Sequence, residues 1–381
     1  MMTRFLTITL LTLFMQPELQ AQKTKEIVYV GTYSLRGSQG IYVFQLDRAK
    51  GKLNPVQIIN TPLSPTFLAI HPSGKFLYSV NRGPIDEMKN SGSVSAFSID
   101  PKTGKLTLLN QRPSYGTDPC HISIDKTGKW AFISNYTEGN FVVLPIFDDG
   151  LLGSSSDSRK HMGSSVNPDR QQKPFVHSAL VSPDNKFVLV SDLGTDKIVS
   201  YKLDVANGRI ENAKKPFVDM TPGSGPRHFD FHPNGNIVYS AEELTSTVGV
   251  LSYDKTNGSL TMQMDTIPSL PINFKGKNTA ADIHVHPGGK YLYMSNRGAN
   301  SLAIYSIDKT GMINLIGQQD TKGKTPRNFM IDLKGEFILV ANQDTDNIVT
   351  FKVDPKTGLL RYAGTQTKVP SPVCLKQLVL K

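Results

Sequence analysis

Residues 283–298 read IHVHPGGKYLYMSNRG, and this phrase decides the fold because five variants of it occur elsewhere in the chain. The other copies are LAIHPSGKFLYSVNRG (68–83), ISIDKTGKWAFISNYTEG (122–139), ALVSPDNKFVLVSDLG (179–194), FDFHPNGNIVYSAEEL (229–244) and FMIDLKGEFILVANQD (329–344). Each copy contains a short β-run, a turn and a second β-run, which is the pattern of a β-hairpin. The turns recur roughly every 46 to 57 residues, a period that indicates an array of multi-stranded units.

Two further strands follow each hairpin. After the hairpin at 229–244, for example, come the run TVGVLSYD (247–254), the turn KTNG (255–258) and a fourth short run. Four antiparallel strands per unit at this period are typical of a propeller blade. The runs at 27–34 and 40–47 resemble second and third strands without a first, and 371–380 resembles a first strand alone. The sequence therefore predicts an all-β fold, a seven-bladed β-propeller closed by N- and C-terminal strands that share one blade.

The N-terminus has the features of a secretory signal. A basic residue, Arg4, precedes an apolar stretch from Phe5 to Met15, and a cleavage point follows Ala21. We expect a signal peptide over 1–21 and a single propeller domain over 22–381, in a periplasmic or secreted protein with no membrane attachment after cleavage. The alternative is an uncleaved hydrophobic anchor.

Composition excludes several classes of function. The formal net charge is +10, but the lysines are scattered and no basic block with interleaved aromatic residues occurs, so no nucleic-acid partner is expected. A small anionic ligand is compatible with the same charge. With only Cys120 and Cys374 present, a disulfide framework and a Cys-rich zinc site are excluded. The histidines lack metal-site spacing such as HExxH, so we expect no required metal. We also expect no cofactor and a monomer.

The repeat alignment predicts which residues meet at one mouth of the central channel. In a propeller the first strand of each blade is innermost, so residues before strand one and after strand two converge there. Before strand one stand Thr66, Cys120, His177, Arg227, Ala281, Arg327 and Val373, followed by Phe67, His121, Ser178, His228, Asp282, Asn328 and Cys374. After strand two stand Thr32, Asn81, Asn135, Asp192, Glu242, Asn296 and Asn342, followed by Tyr33, Arg82, Tyr136, Leu193, Glu243, Arg297 and Gln343.

The composition of these columns separates scaffold from site. The Asn/Asp-rich column is typical of turn residues that bond to backbone, and His71, His232 and His286 recur at turns away from the mouth. The remaining columns are rich in Arg, His, Glu and Gln and differ between blades, which indicates a binding site. Arginine binds carboxylate or phosphate and stabilises an oxyanion, while Glu243 or His177 could move a proton. Because Ser178 is the only serine there and no GxSxG occurs, water is the expected nucleophile.

The chain resembles the lactonase, or 6-phosphogluconolactonase, family of seven-bladed propellers, which includes fungal carboxymuconate-lactonising enzymes. The matching phrases are YVGTYS (29–34), DPCHISID (118–125), HSALVSPDNKFVLVSDLGTDKI (177–198), GPRHFDFHPNGNIVYSAEEL (225–244), HVHPGGKYLYMSNRGANSLAIY (284–305) and TPRNFMIDLKGEFILVANQDTDNIVTF (325–351). The resemblance implies hydrolysis of a small anionic sugar lactone such as 6-phosphoglucono-1,5-lactone. It implies a catalytic group of His177, Arg227, Glu243 and Arg297. From their positions at the mouth, substrate-binding residues are expected at His121, His228, Arg327, Asn328, Gln343 and Arg82.

The chain departs from the family in two ways, and two alternatives stay open because one fold can host many functions. Relatives usually have His-x-His where this chain has Phe175-Val176-His177, and a pentose-phosphate intermediate is cytosolic whereas this chain has an export signal. The alternatives are a noncatalytic exported propeller that binds carbohydrate or protein, and a muconate-type cycloisomerase. The stretch 153–173 is rich in Ser, Asp and Arg, and we expect a solvated connector there in preference to a cover over the mouth.

Overall fold

The computed structural model describes residues 24–61, 63–84 and 90–380. Within these ranges 28 strands form seven four-stranded antiparallel sheets. The innermost strands of successive sheets contact one another, and the last of them contacts the first, so the ring is closed. The predicted seven-bladed propeller is confirmed. The predicted signal peptide lies outside the described residues, and none of the described segments forms a helix that could cross a membrane.

Six blades are continuous in sequence, and each runs outward from its first strand. Blade 1 consists of β4 (Ser64–Ile70), β5 (Phe76–Arg82), β6 (Ser93–Ile99) and β7 (Leu106–Pro113); blade 2 of β8 (Pro119–Ile124), β9 (Trp130–Asn135), β10 (Asn140–Pro145) and β11 (Asp157–Lys160); blade 3 of β12 (Val176–Val181), β13 (Phe187–Asp192), β14 (Lys197–Asp204) and β15 (Arg209–Asp219). Blade 4 consists of β16 (Pro226–Phe231), β17 (Ile237–Glu242), β18 (Thr247–Tyr253) and β19 (Leu260–Pro268); blade 5 of β20 (Thr279–Val285), β21 (Tyr291–Arg297), β22 (Ser301–Ile307) and β23 (Ile313–Asp320); blade 6 of β24 (Pro326–Ile331), β25 (Phe337–Asn342), β26 (Asn347–Val353) and β27 (Leu360–Lys368).

Blade 7 joins the two ends of the chain, as the fragmentary repeats predict. It consists of β28 (Pro372–Leu380), β1 (Lys25–Thr32), β2 (Gly40–Asp47) and β3 (Lys52–Asn60), in that order. The antiparallel pairing of β28 with β1 runs from Lys25 opposite Leu380 to Thr32 opposite Pro372. This pairing removes the unpaired edges that an open array would present to other chains.

The hydrophobic core lies between neighbouring blades. Strand β13 is buried along its whole length because blades cover both of its faces. One core cluster joins Phe132 and Val143 of blade 2 to Val188 and Tyr201 of blade 3, and similar clusters fill the other interfaces. Near-continuous apolar runs such as FVLV are the sequence expression of this two-sided burial.

Repeated polar contacts fix the distance from one blade to the next. Buried tyrosines on second strands donate to glycine carbonyls in the next blade, in the pairs Tyr29 with Gly104, Tyr78 with Gly150, Tyr239 with Gly311 and Tyr293 with Gly358. The turn histidines bond in the same direction, in the pairs His71 with Gly128, His232 with Gly289 and His286 with Gly335, each at 2.9 Å. The prediction that these histidines belong to the scaffold is confirmed.

Every first strand carries a bulge where it leaves the mouth. The cross-strand register skips one or two residues just after each of these strands begins. The skipped residues are Thr66, Cys120, His177, Arg227 with His228, Ala281 with Asp282, Arg327 and Val373. These include every member of the column that the alignment placed before strand one. Bulges re-aim side chains and are common beside active sites.

Candidate active site

A pocket of about 300 Å³ opens at the mouth where first strands begin and second strands end. Its lining residues come from all seven blades and one connecting segment: Tyr33, Arg82, Tyr136, Arg170, His177, Glu243, Thr279, Arg297 and Arg327. The volume lies at the lower end of the range for small-molecule sites. The lining is mostly polar, as expected for a hydrophilic ligand.

Glu243 is the centre of an arginine cluster. It follows β17, is buried, and its Oε2 lies 2.9 Å from Nε of Arg227 and 3.0 Å from a terminal nitrogen of Arg297. Its other oxygen accepts a hydrogen bond of 2.6 Å from Arg170. Backbone carbonyls hold two of the guanidinium groups from behind, because Arg297 donates to Ala280 and Arg227 donates to Ala281. One carboxylate therefore fixes three cations in the site.

The arginines keep Glu243 ionised. Burial alone would raise the pKa of its carboxyl group, but Arg297, Arg227 and Arg170 outweigh burial and lower that pKa to about 2. A carboxylate so stabilised by three guanidinium groups is a weak proton acceptor near neutral pH. Of the two groups that the sequence offered for proton transfer, the geometry thus disfavours Glu243.

A second pair of arginines flanks Tyr33. The guanidinium carbons of Arg82 and Arg327 lie 5.3 and 5.4 Å from the centre of its ring, within range of cation–π attraction. Arg82 also approaches Asp118 at 3.6 Å, whereas Arg327 forms no ion pair with any described residue. Four guanidinium groups and one carboxylate line the pocket. This excess of positive charge suits an anionic ligand.

Arg170 belongs to the segment 153–173, for which we predicted a solvated connector. That prediction is wrong for the part that reaches the mouth. The segment contains β11, and beyond it Gln171 donates to the carbonyl of Leu193 at 2.8 Å and to Asp196 at 2.7 Å. These contacts place Arg170 over Glu243, where its terminal nitrogen also lies 3.4 Å from the hydroxyl of Tyr136.

His161 anchors the segment 153–173 at a point before Arg170 in the chain. Its Nδ1 lies 2.8 Å from Oδ2 of Asp192, and its Nε2 lies 3.1 Å from the hydroxyl of Tyr201. All three side chains are buried. The segment is therefore tied to blade 3 at two points on either side of the mouth-facing stretch.

His177 reaches the pocket from the bulge of β12. Its ring packs edge-to-face against Tyr136 and His228, with centroid distances of 5.4 and 5.2 Å. Burial, reinforced by the positive charge of Arg227, holds the pKa of His177 well below its usual value. The imidazole is therefore neutral at physiological pH and able to accept a proton or a hydrogen bond.

A layer of rings closes the channel below the pocket. The ring of His121 lies 4.5 Å from that of Phe67 and 5.5 Å from that of His228. Asn328 is buried in the same layer and donates to Asp282 at 2.5 Å. The predicted ligand residues His121, His228 and Asn328 thus lie one layer deeper than the pocket lining.

The structure gathers six of the ten predicted site residues at the mouth: His177, Arg227, Glu243, Arg297, Arg82 and Arg327. Three lie in the deeper layer, and Gln343 bonds to its neighbour Asp344 outside the lining of the pocket. Sequence reasoning missed Arg170, since nothing in its irregular segment indicated where it would fold. In the described ranges no group of three or more His, Cys, Asp or Glu side chains is arranged to hold a metal ion.

The arrangement has the groups that ester hydrolysis requires. Fixed guanidinium groups stabilise charge that develops on a carbonyl oxygen, a neutral imidazole accepts a proton from water, and further guanidinium groups hold an anionic part of the substrate. The histidine and the arginines are preorganised by burial and by their partners, so little reorganisation accompanies the reaction.

Comparison with known proteins agrees with the fold. The family model described as lactonase, 7-bladed beta-propeller, matches residues 27–377. A Bacillus subtilis protein named 6-phosphogluconolactonase is 35% identical over 357 residues, which cover 93% of this chain and 99% of that protein. A Formosa agariphila protein of the same name is 36% identical over 339 residues, 88% of this chain and 94% of the relative.

A solved structure extends the likeness to three dimensions. The periplasmic gluconolactonase of Pseudomonas aeruginosa superimposes with a TM-score of 0.87 at 30% sequence identity, covering 94% of this chain and 100% of that one. The repeated hairpins, the shared closing blade and the family match over residues 27–377 lead to one conclusion. The chain belongs to the lactonase family of seven-bladed β-propellers.

Proposed function

We propose that this protein is a hydrolase that opens an anionic sugar lactone, of which 6-phospho-D-glucono-1,5-lactone is the leading candidate and 6-phosphogluconate the product. The observation that carries the proposal is the mouth pocket, in which Glu243 fixes three arginines and an unneutralised Arg327 lies beside Tyr33. Relatives named 6-phosphogluconolactonase and a structural neighbour named a gluconolactonase support this class of substrate.

In the proposed reaction, water attacks the lactone carbonyl carbon and the ring carbon–oxygen bond breaks. Arg227 and Arg297 stabilise the oxyanion that forms at the carbonyl oxygen, since Glu243 and backbone carbonyls hold both guanidinium groups in place. Glu243 itself stays ionised and acts through those arginines. A neutral imidazole in the site removes the proton from water, and the leaving ring oxygen takes it up. The open acid then ionises in solvent.

Arg82 and Arg327 are proposed to bind the phosphate or another anionic group of the substrate. Both guanidinium groups lie within cation–π range of Tyr33, and neither has a close ion pair, since Arg82 lies 3.6 Å from Asp118 and Arg327 pairs with no described carboxylate. A planar guanidinium matches the geometry of phosphate oxygens, so a pair of them can hold a phosphate from two directions.

The test is an assay of the purified mature protein against a panel of aldonolactones, phosphorylated and unphosphorylated, corrected for spontaneous hydrolysis. We expect saturable hydrolysis with a preference for a phosphorylated lactone. Rates equal to buffer across the panel would contradict the proposal and favour a binding protein.

We also propose that the protein is exported as a monomer. The N-terminal signal pattern over 1–21 motivates this, and one structural neighbour is described as periplasmic. N-terminal sequencing of the protein recovered from the periplasm should begin at Gln22, and light scattering should give a single-chain mass.

A further inference from the structure

A small cavity lies beneath the mouth pocket. Its volume is about 10 Å³ and it shares Tyr33 and Arg327 with the pocket above. Arg227, Thr66 and His228 contribute polar groups to its wall. A volume of this size is close to the minimum for a single water molecule, and a water there would have several polar partners. The cavity therefore adjoins the pocket and has the size to hold one water molecule there.

His228 faces this cavity in a defined tautomer. Its Nδ1 lies 2.7 Å from Oδ1 of Asp282, an acceptor, so Nδ1 carries the hydrogen and Nε2 carries the lone pair. Nε2 is buried and has no hydrogen-bond partner among the described residues. The rings of His121 and His177 pack against His228 at centroid distances of 5.5 and 5.2 Å and hold its orientation. The His228 ring thus has a fixed orientation, and its Nε2 is a hydrogen-bond acceptor without a partner among the described residues.

Asp282 is itself held rigidly. It accepts hydrogen bonds from Nε2 of His284 at 2.9 Å, from Asn328 at 2.5 Å and from the backbone nitrogen of Phe329 at 3.2 Å. Burial alone would raise the pKa of Asp282, but His284 and the hydrogen bonds keep that pKa well below its usual value. The carboxylate is ionised at neutral pH, and it can both orient His228 and stabilise the imidazolium form of that ring.

We propose that His228 is the general base of the hydrolysis and that Asp282 is its positioning residue. This inference rests on the proposed function. A water in the small cavity gives its proton to Nε2 of His228 as its oxygen bonds to the lactone carbonyl carbon. When the ring carbon–oxygen bond breaks, the same proton passes from His228 to the leaving oxygen. Atoms and charge balance without a further reactant.

His228 is better placed for this role than the other two candidates. His177 has no carboxylate partner among the described residues, and its Nδ1 has only the sulfur of Cys120 at 3.9 Å. Glu243 is fully engaged by arginines. Burial, followed by the charge of Arg227, lowers the pKa of His228 to about 4, so the ring is unprotonated over the neutral range.

The test compares hydrolysis with hydroxylamine attack on the same lactone. Hydroxylamine is a nucleophile that needs little help from a base, whereas water needs it. In His228→Asn and His228→Gln we expect hydrolysis to fall about 100- to 10,000-fold, the usual contribution of a general base. Hydroxamate formation should fall far less. Asp282→Asn should show the same selective loss, since the amide can bond to His228 in the wrong tautomer.

Matched variants separate this effect from structural damage. His232→Gln, at a turn histidine bonded to Gly289 on the scaffold, should leave both reactions unchanged. Arg297→Gln removes an oxyanion partner and should slow both reactions alike. Product binding by calorimetry and the melting temperature report whether each variant is folded.

Hydrolysis within threefold of wild type in either His228 variant would overturn the inference, as would an equal loss of the two reactions in the folded variants. A selective loss of hydrolysis in His177→Asn alone would assign the base to His177. A wild-type protein that opens no lactone would instead contradict the proposed function.

Discussion

A terminal nitrogen of Arg170 lies 2.6 Å from Oε1 of Glu243, although 73 residues separate the two in sequence. This contact brings the segment between blades 2 and 3 to the mouth of the channel. Arg170 therefore covers one side of the pocket, while Arg227 and Arg297 hold the opposite oxygen of the same carboxylate.

Removal of the Arg170 side chain should weaken substrate binding. In Arg170→Ala we expect KM to rise about 10-fold with a smaller change in kcat, because a hydrogen bond to a charged group is worth about 1.5–3 kcal/mol and two other arginines still hold Glu243. Steady-state kinetics with the best lactone of the panel would measure this. Lys160→Ala is the control, since Lys160 pairs with Glu138 on the surface of the same segment. An unchanged KM in Arg170→Ala would contradict the prediction.

Separate substitution of Glu243 and Arg297 should abolish most turnover. Glu243→Gln leaves Arg227 and Arg297 without the charge that fixes them, and Arg297→Ala removes an oxyanion partner. Loss of one such donor costs about 100- to 1,000-fold in kcat in other enzymes. Single-turnover measurements should show the loss in the chemical step. Near-normal kcat in both variants would refute the assignment of these residues.

Arg327 should decide between phosphorylated and unphosphorylated lactones. Because it forms no ion pair with any described residue, its charge is available to the substrate. In Arg327→Gln we expect kcat/KM to fall about 10- to 100-fold for the phosphorylated lactone and little for the unphosphorylated one. Arg361→Gln, on the exposed outer strand of the same blade, should change neither value. An equal loss for the two substrates would place the anionic group elsewhere.

Stability should fall as pH rises through the neutral range because of Glu242. Burial raises the pKa of this carboxyl group to about 8 from the ordinary value of 4.5, so the folded state binds a proton that the unfolded state releases above about pH 4.5. The stabilisation is fully present below that pH and is lost progressively up to about pH 8, at about 1.4 kcal/mol per pH unit for one proton.

Glu242→Gln should remove this decline, because an amide keeps the shape without the titration. Equivalent positions in other blades already carry Asn81, Asn135, Asn296 and Asn342. Urea unfolding between pH 5 and pH 9 should show a flatter profile for the variant and a higher free energy of unfolding at pH 8. Glu138→Gln, at a half-buried position paired with Lys160 on the surface, is the control. If the free energy of unfolding of Glu242→Gln changed with pH as much as that of wild type, the assignment would be contradicted.

The fold was predictable because each blade repeats the same local rules. Alternating apolar residues on either side of a Gly- or Asn-containing turn predict a hairpin, and the fragments at the two ends could form a complete blade only together. The mouth was predictable for the same reason, since equivalent positions in a repeat lie at equivalent heights. Thus His177, Arg227, Glu243 and Arg297 could be grouped from columns alone.

The depth of each side chain below the mouth could not be predicted, nor could the path of the irregular segments. Arg227 and His228 are neighbours in sequence, yet one reaches Glu243 at the mouth and the other contacts Asp282 in the layer below, because a bulge separates their directions. The position of Arg170 depends on the hydrogen bonds of Gln171 to Leu193 and Asp196 in the following blade. Such contacts are not part of the repeated pattern, so the sequence does not reveal them.

The bulges at the mouth have a consequence for how such a protein can acquire new substrates. A residue that the ladder skips has no cross-strand partner to satisfy, while the paired residues around it keep the blade in register. Each blade therefore offers at least one side chain whose exchange leaves the cross-strand ladder in register. Such positions occur at the mouth end of the first strand in all seven blades, so selectivity can diverge one blade at a time on an unchanged frame.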